Sequence, residues 1–174
     1  MRKAKDIIGL PVIEIASGKQ LGHVKDIAMD ADWRIAAVVV DTKHWFSGPK
    51  VVVCEKIVAF GDDAVTVTDE DCVEEMSDDS PWRYLDGDSG KVKGKPIVTV
   101  NGNQLGVVED VYFEEKLGNK LVGYELTDGF ISDLTDGRKW LPVPDRLTWG
   151  EDALIVPLNS DAELEDIDPI NLQG

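Results

Sequence analysis

The sequence predicts an all-β protein built from two small antiparallel β-barrels in tandem. Three observations carry this prediction: four sequence blocks recur in the same order, the blocks are short β-rich runs and glycine turns, and no apolar period of 3.6 residues persists over three helical turns. The length of 174 residues and the 43% hydrophobic content suit one or two globular domains. Two modules of about 70 residues each therefore fit both the length and the repeat.

The repeat consists of four pairs of matching blocks in the same order along the chain. The pairs are 9–12 with 94–97, 20–27 with 104–111, 51–57 with 141–147, and 61–67 with 150–156. Because chance similarity would not keep four blocks in one order, we interpret the chain as two copies of one module.

Each module opens with a predicted hairpin. Residues 12–15 and 97–100 are β-rich runs followed by a polar glycine turn, which in the second copy is an Asn-Gly pair, a strong hairpin signal. The returning strands contain Gly22 and Gly106. A glycine inside a strand usually marks a bulge or a tight bend, as at the corner of a barrel.

The later part of each module is also β-rich. Residues 35–40 and 120–126 are apolar runs fit for buried or half-buried strands. The turns at Gly61 and Gly150, each followed by two acidic residues, link a final hairpin. Each module thus has about five or six short strands, and closing them into a barrel removes exposed edges.

The charge is concentrated outside the two modules. We divide the chain into a first barrel domain (1–70), an acidic linker (71–86), a second barrel domain (87–160) and an acidic tail (161–174). The linker holds six acidic residues and one basic residue, and the tail holds five acidic residues and no basic one, out of a net charge of −16. Asn159 and Ser160 before these acidic residues are compatible with a short C-terminal helix that ends before Pro169.

The module resembles the PRC-barrel family. The resemblance rests on residues 8–12, on the turn and strand at 18–26, and on residues 141–144, and it covers roughly 5–68 and 88–157. The family includes the C-terminal domain of ribosome-maturation factors and the H subunit of photosynthetic reaction centres. It is associated with docking onto larger assemblies, so the resemblance implies an interaction module and supplies no catalytic residues.

Enzymatic, metal and cofactor functions find no support in the motifs. The acidic pairs after Gly61 and Gly150 recur at one hairpin position, as turn chemistry alone would select. Residues 86–90 resemble a calcium loop but lack the later ligands, so we interpret them as a linker turn. No nucleophile, phosphate-loop or dinucleotide motif occurs. We therefore expect no enzyme activity, no cofactor and no metal.

The compartment signals are mostly absences. No unbroken apolar stretch suits a signal peptide or a membrane span, so we expect a cytoplasmic protein. Cys54 and Cys72 lack metal-binding or redox spacing and are interpreted as inert structural residues. The net charge of −16 repels phosphates, so direct nucleic-acid binding is not expected.

Two loops carry the candidate partner-binding residues, Trp45, Phe46, Phe130 and Ile131. Loops normally lie at the surface, and aromatic residues are favoured anchors at protein interfaces. The alternative is that these side chains pack against the other module or cap their own barrel. The bulky residues 82–85 interrupt the acidic linker, and we expect them to dock it onto a barrel.

The sequence thus predicts a non-enzymatic adaptor that docks onto a larger assembly through a protein partner. The acidic charge suits a basic partner, and self-association of the chain is an open alternative for the aromatic loops. A ribosome-associated or RNA-processing accessory factor acting through a ribosomal protein is the second hypothesis, and it follows from the resemblance alone.

Overall fold

The structure is a computed structural model that describes residues 1–42, 48–87, 90–128 and 138–167. The chain forms two compact units. The N unit consists of Ala4–Ser89, and the C unit consists of Met1–Lys3 together with Gly90–Gly174. Almost all regular structure of the described residues is β-strand, which confirms the predicted all-β class.

The strands are numbered in chain order, and β1 (Arg2–Lys3) belongs to the C unit. The N unit begins with one helical turn, α1 (Ala4–Ile7). Its strands are β2 (Pro11–Glu14), β3 (Gln20–Met29), β4 (Ile35–Asp41), β5 (Lys50–Val53), β6 (Ile57–Phe60), β7 (Val65–Val67), β8 (Glu74–Glu75) and β9 (Arg83–Tyr84). Short 3-10 helices lie at Cys54–Lys56 and Glu70–Cys72. The order across the sheet is β6-β7-β2-β3-β4-β5-β8, and β9 also pairs with β3.

The C unit repeats this arrangement strand for strand. Its further strands are β10 (Pro96–Thr99), β11 (Gln104–Glu114), β12 (Lys120–Thr127), β13 (Lys139–Pro142), β14 (Thr148–Trp149), β15 (Leu154–Val156) and β16 (Glu165–Asp166). The order is β14-β15-β10-β11-β12-β13-β16, and β1 pairs with β11. Its 3-10 helices are Glu115–Leu117 and Leu158–Glu163, and the second lies where the sequence is compatible with a short C-terminal helix. Each sheet curls into a half-barrel, and the predicted tandem architecture is confirmed.

One pairing in each sheet corrects the purely antiparallel expectation. β7 runs parallel to β2, and β15 runs parallel to β10. In the N unit, β5 leads into β6 through the 3-10 helix Cys54–Lys56, which bends the chain without reversing it. The β6-β7 hairpin then reverses the chain once, so β7 returns beside β2 in the same direction.

The paired glycines of the repeat lie where two backbones approach closely, as a tight bend requires. A Cβ atom on Gly22 would overlap the carbonyl oxygen of Asp41, and one on Gly106 would meet that of Thr127. Glycine is therefore needed at this position of both β3 and β11.

The final hairpin of each unit contains the predicted turn. The N–H of Gly61 donates to the carbonyl of Ala64 at 2.9 Å, and that of Gly150 donates to Ala153 at 2.9 Å. The two acidic residues after each glycine are exposed, in keeping with the turn interpretation.

The hydrophobic core of each unit contains side chains from equivalent positions of the two repeats. These buried pairs lie on β2 and β10, on β3 and β11, and on β7 and β15: Val12 and Ile97, Ile27 and Val111, Val65 and Leu154, Val67 and Val156. Each side chain removes apolar surface from water, which stabilises the sheet by roughly 1.5–3 kcal/mol per residue of this size.

In each unit, the sheet is completed by a two-residue strand that precedes the other repeat in the chain. Arg83 and Tyr84 lie opposite Met29 and Ala28 of β3. The matching residues of β11 are Phe113 and Tyr112, and they lie opposite Arg2 and Lys3 of β1. Residues 71–86, which the sequence analysis treats as an acidic linker, thus contribute β8 and β9 to the N unit. The docking expected of residues 82–85 is the pairing of β9 with β3.

Candidate functional site

The four candidate partner-binding residues, Trp45, Phe46, Phe130 and Ile131, lie outside the described residues. Trp45 and Phe46 fall in 43–47, and the other two fall in 129–137. Their role stays a prediction, and a candidate site has to be built from the described residues.

A buried aspartate sits at the same strand irregularity in both units. The register between β3 and β4 shifts at Val24 and Asp26, which leaves Lys25 as the extra residue of a bulge. The Asp26 carboxylate accepts the N–H of Ile27 at 2.8 Å. Its counterpart Asp110 accepts the N–H of Val111 at 2.8 Å. Each carboxylate thus satisfies a backbone donor of its own strand at the bulge.

A cleft of about 460 Å³ opens beside Asp26 in the N unit. We call it the Asp26 cleft, and its apolar walls are the side chains of Val39, Pro49, Met76 and Tyr84. The Tyr84 hydroxyl donates to the Met76 sulfur at 3.5 Å, and the Met76 N–H donates to the Pro49 carbonyl at 3.4 Å. These bonds hold three of the four walls to one another.

The polar end of the Asp26 cleft is formed by Lys25, Asp26, Asp86 and Gly87. The N–H of Asp86 donates to both carboxylate oxygens of Asp26, at 3.1 and 3.3 Å. A Cβ atom on Gly87 would lie 2.9 Å from the Cβ of Tyr84 and 3.3 Å from Asp26 Oδ2. Glycine lets the segment after β9 pass this close to the carboxylate.

Burial dominates the electrostatics of Asp26, whose side chain belongs to a residue only 6% exposed. Burial raises the pKa of Asp26, and the negative charge of Asp86 raises it further, against the lowering by the N–H groups of Ile27, Asp86 and Gly87. The net effect is a carboxylate whose negative charge is incompletely compensated by the fold.

The corresponding positions of the C unit carry different side chains. Matching registers place Glu125 where the N unit has Val39, and Trp140 where it has Val51. In the same correspondence, Lys3 takes the position of Tyr84. Arg138, the residue before Lys139, takes the position of Pro49. Positions that are largely aliphatic in the N unit are therefore charged or aromatic in the C unit.

We call Lys3, Tyr112, Glu125, Arg138 and Trp140 the Glu125 cluster. Glu125, only 1% exposed, lies 3.0 Å from Lys3 Nζ and 2.7 Å from an Arg138 nitrogen. The Tyr112 hydroxyl donates to it at 2.8 Å, and the Tyr112 ring meets Trp140 edge-on with centroids 4.8 Å apart. At these positions of the C unit, the buried carboxylate is thus neutralised by cations of the chain itself.

The pKa of Glu125 moves opposite to that of Asp26. Burial by itself would raise the pKa of Glu125, but the hydrogen bonds from Lys3 and Tyr112 and the charges of Lys3 and Arg138 hold it below its ordinary value. The Trp140 ring packs against Gly123, where a Cβ atom would overlap it.

The sequence analysis missed the Asp26 cleft, although one signal for it existed. Asp26 and Asp110 match in the repeat and lie inside apolar strands, where an acidic residue needs a specific reason. Two of the walls, Met76 and Tyr84, come from the predicted linker, and Asp86 and Gly87 come from the predicted linker turn, so only the fold brings them to Asp26.

Other candidate chemistries are not seen in the described part of the chain. Within it, no group of three His, Cys, Asp or Glu side chains could hold a metal ion. Cys72 is buried, Cys54 is half-buried, and the two do not form a disulfide bond. Among the residues with described positions, no helix is long and apolar enough to cross a membrane.

The comparison with known protein families agrees with the two-unit fold. The PRC-barrel domain matches residues 1–71 and 89–163, which together make up most of the chain. The chain belongs to the PRC-barrel family. Its two PRC-barrel copies indicate a protein-interaction module in general terms. A search of curated proteins found no significant match.

Proposed function

We propose that this protein is a non-enzymatic adaptor that docks a protein partner in the Asp26 cleft and so joins a larger assembly. The single observation that carries the proposal is the difference between the two PRC-barrel copies. One copy leaves a cleft of about 460 Å³ with apolar walls and a buried carboxylate. The other fills the corresponding positions with the Glu125 cluster.

The composition of the Asp26 cleft supports binding. Ligand sites typically combine apolar walls with a few placed polar groups, in volumes of about 300–1,000 Å³. Val39 is 4% exposed and Tyr84 is 9% exposed, so these walls are held firmly by the fold. Pro49 and Met76 are more accessible and form the part that an incoming segment meets first.

The aromatic loop at Trp45 and Phe46 is proposed as a second contact. It precedes Pro49, a wall of the Asp26 cleft, by only a few residues in the sequence. A partner segment that enters the cleft could therefore also reach this loop. Phe130 and Ile131 are proposed for the same role in the C unit, or for contact with a second copy of the chain.

A ribosomal protein is one partner class that the charge favours. Ribosomal proteins are commonly basic, and the chain carries a net charge of −16. The proposal places the protein in the cytoplasm and assigns it no direct RNA contact, because the same charge repels phosphates.

The test is affinity capture with two matched variants. Pro49→Arg places in the Asp26 cleft the residue type found at the matching position of the C unit. Val58→Arg adds the same charge at a site in β6 that is 56% exposed. We expect Pro49→Arg to lose a protein that wild type and Val58→Arg both retain. Equal retention by all three proteins would contradict docking in the cleft.

A second capture experiment tests the aromatic loops. The triple variant Trp45→Ala, Phe46→Ala, Phe130→Ala should retain less of the same partner, because aromatic anchors often contribute more than 1 kcal/mol each. An unchanged set of partners would remove these loops from the proposal. Ribosomal RNA that remains bound at high salt would contradict the protein-only contact.

A further inference from the structure

Resting on the proposed function, we infer that the Asp26 cleft takes a basic side chain of the partner, with its alkyl stem along the apolar walls and its cationic head at Asp26 and Asp86. The ligand class is thus a protein segment with an exposed lysine or arginine. The inference combines the shape of the cleft, the compensation of its buried carboxylate and the content of the same region in the C unit.

The first step is the polarity of the Asp26 cleft along its length. The side chains of Val39, Met76 and Tyr84 give an apolar passage, and the carboxylates of Asp26 and Asp86 stand at its polar end together with the exposed Lys25. Lysine and arginine have this same division, since a long aliphatic stem carries a charged head. A wholly apolar side chain would leave the carboxylate unmatched, and an acidic one would be repelled.

The negative charge of Asp26 is compensated within the fold by neutral groups. The hydrogen bonds described for its carboxylate come from backbone N–H groups, those of Ile27 and Asp86. Neutral donors compensate a buried negative charge less than a cation does. A cation that enters the cleft therefore gains more there than it would at an exposed aspartate.

The third step comes from the C unit, which carries its own cations at the matching wall positions. Lys3 matches Tyr84 and Arg138 matches Pro49, and both cations contact the buried Glu125, at 3.0 and 2.7 Å. The C unit thus demonstrates that this region of the half-barrel can hold basic side chains against a buried carboxylate. In the N unit the cations are missing from these wall positions, and a partner can supply one.

The surroundings of the cleft favour a basic segment as well. Glu74 and Glu75 of β8 already pair with Lys56 and Lys50, but Asp78 and Asp79 beyond Met76 are exposed. Their charges lie on the chain that forms one wall. They attract basic residues that flank the anchoring side chain, and salt weakens this attraction.

The experiment is an NMR titration of the full chain with four blocked tripeptides. The probes are Ac-Ala-X-Ala-NH₂ with X as arginine, lysine, norleucine or glutamate. We expect saturable shifts of the backbone amides of Ile27, Val39, Asp86 and Gly87 with the arginine and lysine peptides at millimolar concentration. The norleucine peptide, which keeps the stem and lacks the charge, should bind at least about tenfold more weakly.

Matched variants assign the binding to the carboxylate. Asp26→Asn should weaken the basic peptides by about tenfold. Asp110→Asn removes the counterpart aspartate of the C unit and should leave their affinity unchanged. Asp86→Asn, an exposed position, should weaken binding by about two- to threefold and serves as a second variant if Asp26→Asn disturbs the fold.

Several outcomes overturn the inference. They are the absence of saturable shifts with both basic peptides, equal binding of the norleucine peptide, unchanged affinity in both Asp26→Asn and Asp86→Asn, and shifts located away from the cleft. Norleucine binding in the cleft together with loss of partner capture by Pro49→Arg would refute the basic anchor alone. Partner capture that Pro49→Arg leaves intact would refute the proposed docking itself.

Discussion

Substitution of Lys3 should destabilise the C unit, although Lys3 is followed immediately in the chain by the N unit. In Lys3→Met, Glu125 loses the ammonium group that lies 3.0 Å from its Oε2. At an effective dielectric constant of about 20, this attraction amounts to roughly 5 kcal/mol before desolvation is subtracted. Removing one partner of a buried ion pair typically costs about 3–5 kcal/mol.

The expected loss is smaller than that range because two partners of Glu125 remain. Arg138 stays at 2.7 Å and the Tyr112 hydroxyl at 2.8 Å, and the Lys3 side chain is itself 25% exposed. We therefore expect a loss of about 2 kcal/mol in the free energy of unfolding of the C unit. For a domain of this size, the melting temperature of the unit should fall by about 10 °C.

Hydrogen exchange resolved along the chain is the assay, because it reports each unit separately. Peptides from β11 and β12 should exchange faster in Lys3→Met, while those from β3 and β4 keep their wild-type rates. Lys19→Met, which removes an exposed lysine of the N unit, should change neither set. The reasoning is refuted if the exchange of β11 and β12 is unchanged, or if the N unit is the one that opens.

Three further predictions concern the buried carboxylates of Glu125 and Asp26 and the glycine under Trp140. The pKa of Glu125 is lowered in the fold. The ionised Glu125 therefore stabilises the C unit fully above the unfolded pKa of about 4.3, and this stabilisation disappears as the pH falls through the folded pKa. In denaturant titrations of the C unit, Glu125→Gln should reduce this acid-induced loss of stability. The pKa of Asp26 is raised, so wild type should gain stability relative to Asp26→Asn as the pH falls through that raised pKa, with no further change below about 3.9. Gly123→Ala forces the Trp140 ring to move and should cost the C unit about 1–3 kcal/mol in urea unfolding.

The controls for these predictions come from the repeat. Asp110→Asn is the matched variant for Asp26→Asn, and Ala37, the N-unit counterpart of Gly123 by strand register, already carries the Cβ atom. An Asp26→Asn difference that moves in the opposite direction with pH would contradict the sign derived from burial. Full stability of Gly123→Ala would show that Trp140 repacks without cost.

The sequence predicts well what is local. Hairpins at Gly61 and Gly150 follow from turn chemistry, and the close approaches at Gly22 and Gly106 follow from glycine inside an apolar strand. The repeat strengthens these predictions, because each local pattern occurs once in each copy. The all-β class and the tandem copies rest on such local patterns.

The sequence does not predict what forms over long distances in the chain. β1 and β9 are two residues long and have no hydrophobic period, so neither shows as a strand before its partner is known. The Asp26 cleft unites β3 with Met76 and Tyr84 from a stretch that looks like an acidic linker. The parallel pairing of β2 and β7 likewise depends on how a 3-10 turn directs the chain.

β1 and β9 each pair with the repeat that they do not directly precede, and this affects how the chain folds during synthesis. Arg2 and Lys3 are translated before the N unit, but their partners Tyr112 and Phe113 are translated after it. The N unit, by contrast, has its whole sheet once β9 is made. Vectorial folding should therefore leave β1 unpaired while the N unit closes. A ribosome stalled after β9 and before β11 should carry a folded N unit and a Lys3 whose partner strand has not been made.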